Sequence, residues 1–337
     1  MTRAISLAVV GATGQVGEAL LEMLAGSDIE FSSIHAVASE QSAGKRIEFG
    51  DRLLKVQNLE GFDFSDVEVA LFAVPPAVSA QHARAVSEQG CLVLDLSGVW
   101  LADPSVPMWS TASPYLDDDL LRESRLLSVL TGAPAVAAEV MTALSDFAPR
   151  SAACTTLLPA SAGGRAALED LARQAARLLN SQDPEPQVFP EQSAFMVLTT
   201  GVAGLGSSAL APDQTFAVAM QRVPALASVS VASQSAWQPT FFGCSMSLTL
   251  QCDEAISLEL AAQLLESAGL PTEGAEAARK VTSLGNKLPE SRPRIGALSV
   301  AGHSGDQLSC WIGFDNVRYG AAHKGVQILQ LLLKDYL

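Results

Sequence analysis

The chain has 337 residues, more than one hydrophobic core usually serves, so its length favours two domains. Apolar residues make up 48% and charged residues 17%, an ordinary globular composition that excludes a disordered chain. The formal net charge of −15 disfavours nucleic-acid or membrane partners, because an acidic surface repels phosphate backbones and anionic lipid headgroups.

Cysteine usage and hydropathy limit the cellular setting. The five cysteines are scattered without a CxxC spacing, so the sequence indicates neither a disulfide framework nor a zinc site. Residues 4–10 are too few for a signal peptide, and no apolar run reaches the roughly 18 residues of a membrane span. We expect a reduced, cytoplasmic protein with no metal, nucleic-acid or membrane partner.

The N-terminal part alternates short apolar runs with helical patterns. Strands are predicted at 4–10, 34–38, 69–74 and 91–96, and helices at 18–24 and 79–89. Strands that alternate with helices favour parallel pairing with right-handed crossovers. The prediction is an α/β domain with a Rossmann-like, doubly wound parallel sheet.

The pattern changes near residue 131. Helices are predicted at 135–144, 166–179 and 321–333, strands at 152–158, 229–233, 241–251 and 308–314, and surface loops at 182–190 and 286–294. Alternating polarity in the later strands is typical of antiparallel pairing with one face in water. We predict a dinucleotide-binding domain (1–130 with 315–337) and an inserted α+β domain (131–314) for substrate binding and dimerisation.

A glycine-rich turn joins the first strand to the first helix. Gly11, Gly14 and Gly17 stand at the spacing that permits a sharp turn, close approach of a pyrophosphate, and tight packing of helix on strand. The helix N-terminus adds free N–H groups and a positive dipole end. Glu40, after the second strand, is either an acceptor for a ribose hydroxyl or a solvated loop acid.

Six blocks in order resemble the aspartate-semialdehyde dehydrogenase family. They are residues 9–17, 38–45, 94–97 with 103–107, 161–164, 222–224 and 311–322. Members are two-domain, usually homodimeric enzymes that reduce aspartyl phosphate with NADPH through a cysteine thioester. The resemblance implies a dinucleotide site at Gly11, Thr13, Gly14, Gln15, Val16, Gly17, Ser39, Glu40, Asn316 and Gly320.

The positions that carry the family's chemistry have changed. The nucleophilic cysteine falls on Ala135, the glutamine on Leu158, and a phosphate-binding arginine on Leu101. Arg222 matches the substrate-binding arginine of an Arg-Val-Pro motif, and the family's base, a histidine seven residues later, falls on Val229. Only Arg222 keeps a functional side chain. We expect these apolar replacements to meet in one cleft that is filled or holds an apolar ligand.

Other candidates for the missing groups are weak. Cys154, Cys244 and Cys310 lie in strand patterns and indicate core residues, while Cys252 precedes Asp253, which would raise a thiol pKa. His303 stands in a Gly-His-Ser sequence like the family's, but far beyond the expected spacing, which favours a turn.

The cofactor site is also altered. Gln41 replaces an arginine that holds the 2′-phosphate of NADP in the family, and Pro75-Pro76 replaces a glycine pair beside the nicotinamide. Two prolines remove two N–H donors and fill space near the dinucleotide. We therefore expect weak binding of NAD or NADP, with NAD favoured.

Three functions follow from the resemblance. The leading one is a catalytically degenerate, homodimeric, Usg-type member of the family. The second is an active NAD(P)-dependent oxidoreductase that acts on an altered substrate near Arg222. The third is a non-enzymatic regulatory or binding subunit that pairs with an active paralogue.

Overall fold

The computed structural model describes residues 4–113, 116, 118–199, 211–273, 292–302 and 304–335. Their contacts divide the chain into two compact units. The first unit holds the N-terminal residues as far as Thr131 and the C-terminal segment from Ala321. The second unit holds the described residues from Gly132 to Gly320.

The first unit is built on a parallel sheet. Its strands are β1 (Ile5–Val10), β2 (Phe31–Ala38), β3 (Arg46–Phe49), β4 (Arg52–Lys55), β5 (Gln57–Asn58), β6 (Val69–Phe72), β7 (Leu92–Asp95), β8 (Met108–Trp109) and β9 (Leu126–Val129). Its helices before the unit boundary are α1 (Gln15–Ala25), α2 (Pro76–Glu88) and α3 (Asp118–Ser124). Seven strands lie in the order β5-β2-β1-β6-β7-β9-β8, while β3 and β4 form a separate hairpin.

Burial explains why the central strands are apolar runs. Every residue of β1, β6 and β7 is buried, as expected where helices cover both faces of a parallel sheet. In α1, Leu20, Leu21 and Leu24 are buried while Glu18 and Glu22 face water. The strand order reverses between β1 and β6, which is where dinucleotide-binding folds place their ligand.

The second unit is built on a mixed sheet. Its strands are β10 (Pro149–Leu158), β11 (Leu198–Thr199), β12 (Ser230–Trp237), β13 (Cys244–Cys252), β14 (Arg294–Ala301) and β15 (Gln307–Phe314), and its helices are α4 (Gly132–Ala143), α5 (Gly164–Leu179), α6 (Pro212–Arg222) and α7 (Leu258–Ser267). The sheet order is β11-β12-β10-β13-β15-β14.

Most strand pairs of this sheet are antiparallel, as predicted, but β10 and β12 pair in parallel. A parallel pair needs a long crossover, and α5 and α6 lie in the chain between these two strands. Alternate residues of β10 are buried, and Ala153 and Thr155 between them are exposed. The predicted strand at 241–251 begins only at Cys244, because Phe241 and Phe242 lie in the preceding turn.

The chain returns to the first unit through α8 (His323–Asp335), which packs on α1 and β9. Gly325 lets this helix approach closely, since a Cβ atom there would lie 3.1 Å from Leu20 and Leu96 side-chain carbons. Together the parallel sheet and the mixed sheet confirm the predicted fold class. Within the described ranges, no helix has the length and hydropathy needed to cross a bilayer.

Candidate functional site

Backbone groups of the glycine-rich turn fix the start of α1. The N–H groups of Gly11 and Ala12 donate to the carbonyl oxygen of Val37 at 2.8 and 3.1 Å, and Gly14 N–H donates to Gly11 O at 2.9 Å. The residue that caps α1 is Gly14, which offers no side-chain hydrogen bond to the first turn. The amides at Gln15, Val16 and Gly17 therefore begin the helix without a side-chain cap, an arrangement suited to an anion.

The three glycines are needed for different reasons. A Cβ atom on Gly11 would lie 2.2 Å from Ala73 O, and one on Gly17 would lie 2.1 Å from Gly11 O. Gly14 is different, because its Cβ atom would meet only Gly11 O at 3.2 Å and Ala73 O at 3.9 Å. The lack of a side chain on Gly14 leaves its backbone accessible to close approach by a pyrophosphate group, so the residues present suit a dinucleotide.

A second part of the candidate cofactor site follows β2. Ser39 precedes a 3₁₀ turn over Glu40–Ser42, and the hydroxyl of Thr13 donates to the Ser42 hydroxyl at 3.2 Å. This bond ties the glycine-rich turn to the segment where a ribose would lie. Glu40 and Gln41 are exposed, and the turn contains no basic side chain.

The structure modifies the prediction for Pro75 and Pro76. Pro76 is the first residue of α2 and Pro75 is its cap, so the missing N–H of Pro76 would have had no partner within the helix. Pro75 is exposed, and its carbonyl oxygen accepts from the N–H groups of Val78 and Ser79. These prolines serve as a helix start.

A buried carboxylate lies at the end of β7. Asp95 is fully buried and accepts from the Ser79 hydroxyl at 2.6 Å, from the Ser97 hydroxyl at 2.8 and 2.9 Å, and from the Gly98 N–H at 3.2 Å. Burial raises the pKa of Asp95 to about 6, although these hydrogen bonds act in the opposite direction. Leu101, in the turn that follows, is also buried.

In the second unit, four strands place side chains at one edge of the sheet. Leu158 at the end of β10 lies opposite Trp237 at the end of β12, and Leu157 lies opposite Ser245 near the start of β13. Cys244 in turn lies opposite Phe314 at the end of β15. We call this edge the Leu158 edge.

Helix α4 begins beside the Leu158 edge. A Cβ atom on Gly320 would lie 3.3 Å from the Phe314 ring and 3.5 Å from the Cα atom of Gly132, where α4 starts. Ala135, in the first turn of α4, is completely buried. Close by in sequence to Phe314 and Gly320, Asn316 accepts a hydrogen bond from the buried Ser161 hydroxyl at 3.1 Å.

One helical turn after Ala135, Glu139 accepts a hydrogen bond from the phenol of Tyr319 at 2.9 Å. Burial and the neighbouring carboxylate raise the pKa of Tyr319, so the phenol keeps its proton at neutral pH. Tyr319 belongs to a π-helical turn over Arg318–Ala322. This contact fastens the residues after β15 to α4.

The predicted meeting of Val229 with Leu158 is wrong. Val229 precedes β12, whose first residue, Ser230, lies opposite Ser151 at the other end of β10. At about 3.3 Å per residue, Val229 lies on the order of 25 Å from Leu158. Arg222 ends α6 near the same far edge, because the start of that helix is already level with Ser233, whose hydroxyl donates to Asp213 O.

Comparisons with known proteins identify the family. Residues 6–147 match the family described as "Semialdehyde dehydrogenase, NAD binding domain". The chain is 35% identical to a USG-1 protein homolog of Pseudomonas aeruginosa over the whole of both chains. The chain belongs to the aspartate-semialdehyde dehydrogenase family. It is also 28% identical to aspartate-semialdehyde dehydrogenase 2 of Vibrio cholerae, again over both full lengths.

Solved structures of this family have the same fold. Aspartate semialdehyde dehydrogenase II of Vibrio cholerae, complexed with ASA, superposes with a TM-score of 0.90 at 25% identity, covering 99% of this chain and 100% of that one. A probable aspartate-semialdehyde dehydrogenase of Pseudomonas aeruginosa gives 0.89 at 33% identity with the same coverage. An NAD-binding domain of this family is therefore present in the chain.

The thiols of this family member are all shielded. The five cysteines are free and buried. Burial raises the pKa of Cys91, Cys154 and Cys310 to about 12, and it raises the pKa of Cys244 and Cys252 as well. A thiolate nucleophile is thus disfavoured at each position. His303 lies outside the described residues.

The sequence pattern gives no functional role to Trp237 and predicts Cys244 only as a core residue, but the structure brings both to the Leu158 edge. The sequence pattern also misses Phe189, which is buried against the Trp237 ring although its segment is predicted to be a surface loop. A signal for both residues of the Leu158 edge was present, because Gly243-Cys244-Ser245 has the Gly-x-Ser form of the family's histidine motif and Trp237 precedes Cys244 by seven residues, the family's spacing of arginine and histidine.

Proposed function

We propose that this member of the aspartate-semialdehyde dehydrogenase family is catalytically degenerate, and that it still binds a nicotinamide dinucleotide and forms a homodimer. The observation that carries the proposal is the methyl group of Ala135 in the first turn of α4, where the family resemblance aligns the nucleophilic cysteine. None of the chain's five cysteines offers a substitute, since burial holds each thiol protonated.

The expected loss of catalytic rate is large. Removing the nucleophile of a catalytic triad lowers kcat by on the order of 10⁶, and side chains that act as a unit do not compensate for one another. Leu158, where the resemblance aligns a glutamine, packs in an apolar cluster and so supplies no polar group. Acyl-phosphate reduction is therefore lost.

A spectrophotometric assay tests this loss. Purified protein is mixed with aspartate semialdehyde, inorganic phosphate and either NAD⁺ or NADP⁺, and absorbance is followed at 340 nm. An active family member from Vibrio cholerae, run in parallel, controls for the reagents. We expect no turnover above the background of buffer; turnover at an ordinary enzymatic rate would show that the chain is an active oxidoreductase on this or a related substrate.

The cofactor part of the proposal rests on the first unit. The uncapped amides of α1 and the absence of a side chain on Gly14 suit the pyrophosphate, and Glu40 suits a ribose hydroxyl. A bound nicotinamide ring would supply hydride transfer. Because the turn over Glu40–Ser42 has no basic side chain for a 2′-phosphate, NAD is favoured over NADP. Calorimetric titration should give the lower Kd for NAD; tight binding of NADP would contradict this preference.

The dimer part rests on the outward face of the mixed sheet. Ala153, Thr249 and Ser309 stand side by side on β10, β13 and β15, and the Thr249 and Ser309 hydroxyls are 3.0 Å apart. Small uncharged side chains on an at least partly exposed sheet face are unusual in a chain with a net charge of −15, and interface cores are depleted of charge. This face suits a second copy of the chain.

Sedimentation measures the dimer directly. The wild-type protein, of 35.2 kDa per chain, should sediment as a dimer. Thr249→Arg, which places a charge in the middle of the proposed interface, should give monomers. Ala172→Arg, on the exposed side of α5, is the matched control and should remain dimeric. A dimer that survives Thr249→Arg would rule out this face.

A further inference from the structure

We infer that Trp237, Phe189 and Leu158 form a built-in plug at the Leu158 edge, and that Trp237 and Cys244 occupy the positions where active relatives carry the arginine and the histidine. The inference deepens the proposed loss of catalysis and rests on it. It replaces the assignment of those positions to Arg222 and Val229, and it adds a physical reason why a small polar substrate does not enter.

The strand register shows which residues lie level with Leu158. In the β10–β12 pair, Trp237 is the residue level with Leu158, and in the β10–β13 pair, Ser245 is level with Leu157. Cys244 pairs with Phe314, next to the start of α4 where Ala135 lies. Catalytic side chains that act together must lie within hydrogen-bond reach of one another. Only residues of the Leu158 edge can therefore occupy the positions of the family's arginine and histidine.

The spacing of residues around Trp237 and Cys244 agrees with the strand register. The family's arginine stands two residues before a proline and seven residues before a histidine within Gly-His-Ser. Trp237 stands two residues before Pro239 and seven residues before Cys244, which lies between Gly243 and Ser245. The Gln238 side chain donates to Gly243 O at 2.9 Å, and its backbone N–H donates to Leu158 O at 2.9 Å, so this connection is held against the end of β10.

Aromatic packing forms the plug. The rings of Trp237 and Phe189 meet edge to face with centroids 5.7 Å apart, and their residues are only 7% and 4% exposed. Leu158 packs against the same cluster, together with Ala160 and Leu171. An arginine and a glutamine would present five N–H donors and an amide here. The plug presents hydrocarbon and a single neutral indole N–H, that of Trp237, which leaves the charged groups of a polar substrate without ionic partners.

Two buried polar side chains of α5 hold Phe189 in place. Asp170 accepts from the N–H groups of Val188 at 2.7 Å and Phe189 at 3.0 Å. Gln174, one turn later, accepts from the N–H of Ser193 at 2.8 Å. Asp170 and Gln174 are completely buried. Residues 187–194, which we call the strap, are therefore hydrogen-bonded to α5 at both ends. These bonds hold the Phe189 ring against Trp237.

Thiol titration tests the assignment of positions without relying on turnover. Ala135→Cys restores a thiol in α4, and a histidine is then added either as Cys244→His or as Val229→His. Thiolate absorbance at 240 nm reports the ionisation of Cys at 135, because the native thiols stay protonated. We expect Cys244→His to raise the thiolate fraction at pH 7 at least tenfold, through an imidazolium pair, and Val229→His to leave it unchanged.

Alkylation tests the plug. In the Ala135→Cys background, Trp237→Ala should speed labelling at position 135 by iodoacetamide at least tenfold, as read by peptide mass spectrometry. Val229→Ala, at the far edge, should leave the labelling rate unchanged. Trp237→Phe gives a milder variant with an intermediate rate if the alanine variant does not fold by circular dichroism.

Two results would overturn the inference. One is a larger thiolate fraction with Val229→His than with Cys244→His. The other is equal acceleration of labelling by Val229→Ala and Trp237→Ala. Neither readout depends on catalysis, so the result is distinct from the 340 nm assay: turnover by the wild-type chain would contradict the proposed loss of function, while the titration would still locate the positions.

Discussion

The two candidate sites of this chain differ in what they are made of. The glycine-rich turn of the first unit uses backbone amides, whose close packing depends on the absence of side chains at Gly11 and Gly17. The Leu158 edge of the second unit uses side chains, and those present are apolar and packed together. A backbone site survives sequence change as long as its glycines remain, whereas a side-chain site is lost one substitution at a time.

This difference explains how one chain can keep a cofactor-type site in its first unit while the Leu158 edge of its second unit is plugged. The fold needs Gly11 and Gly17 for its own close packing, so stability preserves the turn with or without a ligand. No comparable requirement protects a polar side chain at Leu158 or Trp237, where an unpaired polar group would itself be destabilising. Gly14 separates the two explanations, because a Cβ atom there would lie no closer than 3.2 Å to its neighbours, against 2.2 Å at Gly11 and 2.1 Å at Gly17.

The largest expected effect is a loss of stability at Gly11, for which Gly14 is the comparison. Gly11→Ala should destabilise the first unit by about 4 kcal/mol or more, because φ is +87° and the new Cβ atom would lie 2.2 Å from Ala73 O. Gly14→Ala should change stability by less than about 1 kcal/mol, because φ is −83°. It should nevertheless weaken NAD binding at least tenfold. Thermal unfolding and calorimetric titration measure the two effects; unchanged NAD affinity in Gly14→Ala would contradict a pyrophosphate at this turn.

The next effect concerns the strap of the second unit. Asp170→Ala should lower the free energy of unfolding by about 3–5 kcal/mol, because it leaves backbone N–H groups of Gln187, Val188 and Phe189 without their acceptor. Urea unfolding followed by tryptophan fluorescence measures this loss, since Phe189 packs on Trp237. Glu169→Ala, on the exposed side of the same helix, should cost less than about 0.5 kcal/mol.

The stabilisation by Asp170 should also depend on pH. Burial acts to raise the pKa of Asp170, but the N–H donors of Val188, Phe189 and Gln187 outweigh it and hold this pKa below its ordinary value of 3.8. A depressed pKa means that the stabilisation is present above pH 3.8 and is lost as the pH falls through the lower, folded-state value. A difference between wild type and Asp170→Ala that stayed constant into strong acid would contradict this role.

The first unit could largely be predicted from sequence, for a physical reason. Strands buried on both faces are short apolar runs, as in β1 and β6, and the glycine-rich turn marks the switch from strand to helix. The register of β10 with β12 could not be predicted, because it is set by a long crossover. Arg222-Val223-Pro224 has the family's tripeptide, yet it ends a helix, and counting seven residues from it leads to the wrong edge.

The strap shows a second limit of sequence. Asp170 and Gln174 lie on the buried face of an amphipathic helix, where polarity normally indicates exposure. Apart from the Arg173 guanidinium, which pairs with Asp170, their partners are backbone N–H groups, which every residue except proline possesses, so the residue types between 187 and 194 do not reveal them. Burial of Phe189 follows from those bonds, and a loop prediction for its segment therefore places it in water.

A smaller effect on the free energy of unfolding is expected at Asp95, in the first unit. Its pKa of about 6 lies above the unfolded value of 3.8, so the folded state binds the proton more tightly. The contribution of Asp95 to the free energy of unfolding is therefore largest below pH 3.8 and falls by about 2–3 kcal/mol as the pH rises through 6. Asp95→Asn cannot titrate, so the difference in unfolding free energy between wild type and this variant should show the fall between pH 4 and 7. A pH-independent difference would contradict the raised pKa.

The smallest effect concerns cofactor choice. Gln41 is exposed in the turn over Glu40–Ser42, beside the ribose of the proposed dinucleotide. Gln41→Arg should improve NADP affinity relative to NAD about tenfold, or about 1.4 kcal/mol, because a guanidinium pairs with a 2′-phosphate. Gln89→Arg adds the same charge beyond the last turn of α2, at the opposite end of the parallel strands, and should leave the ratio unchanged. Equal shifts in both variants, measured by calorimetry, would assign the change to net charge and remove Gln41 from the cofactor site.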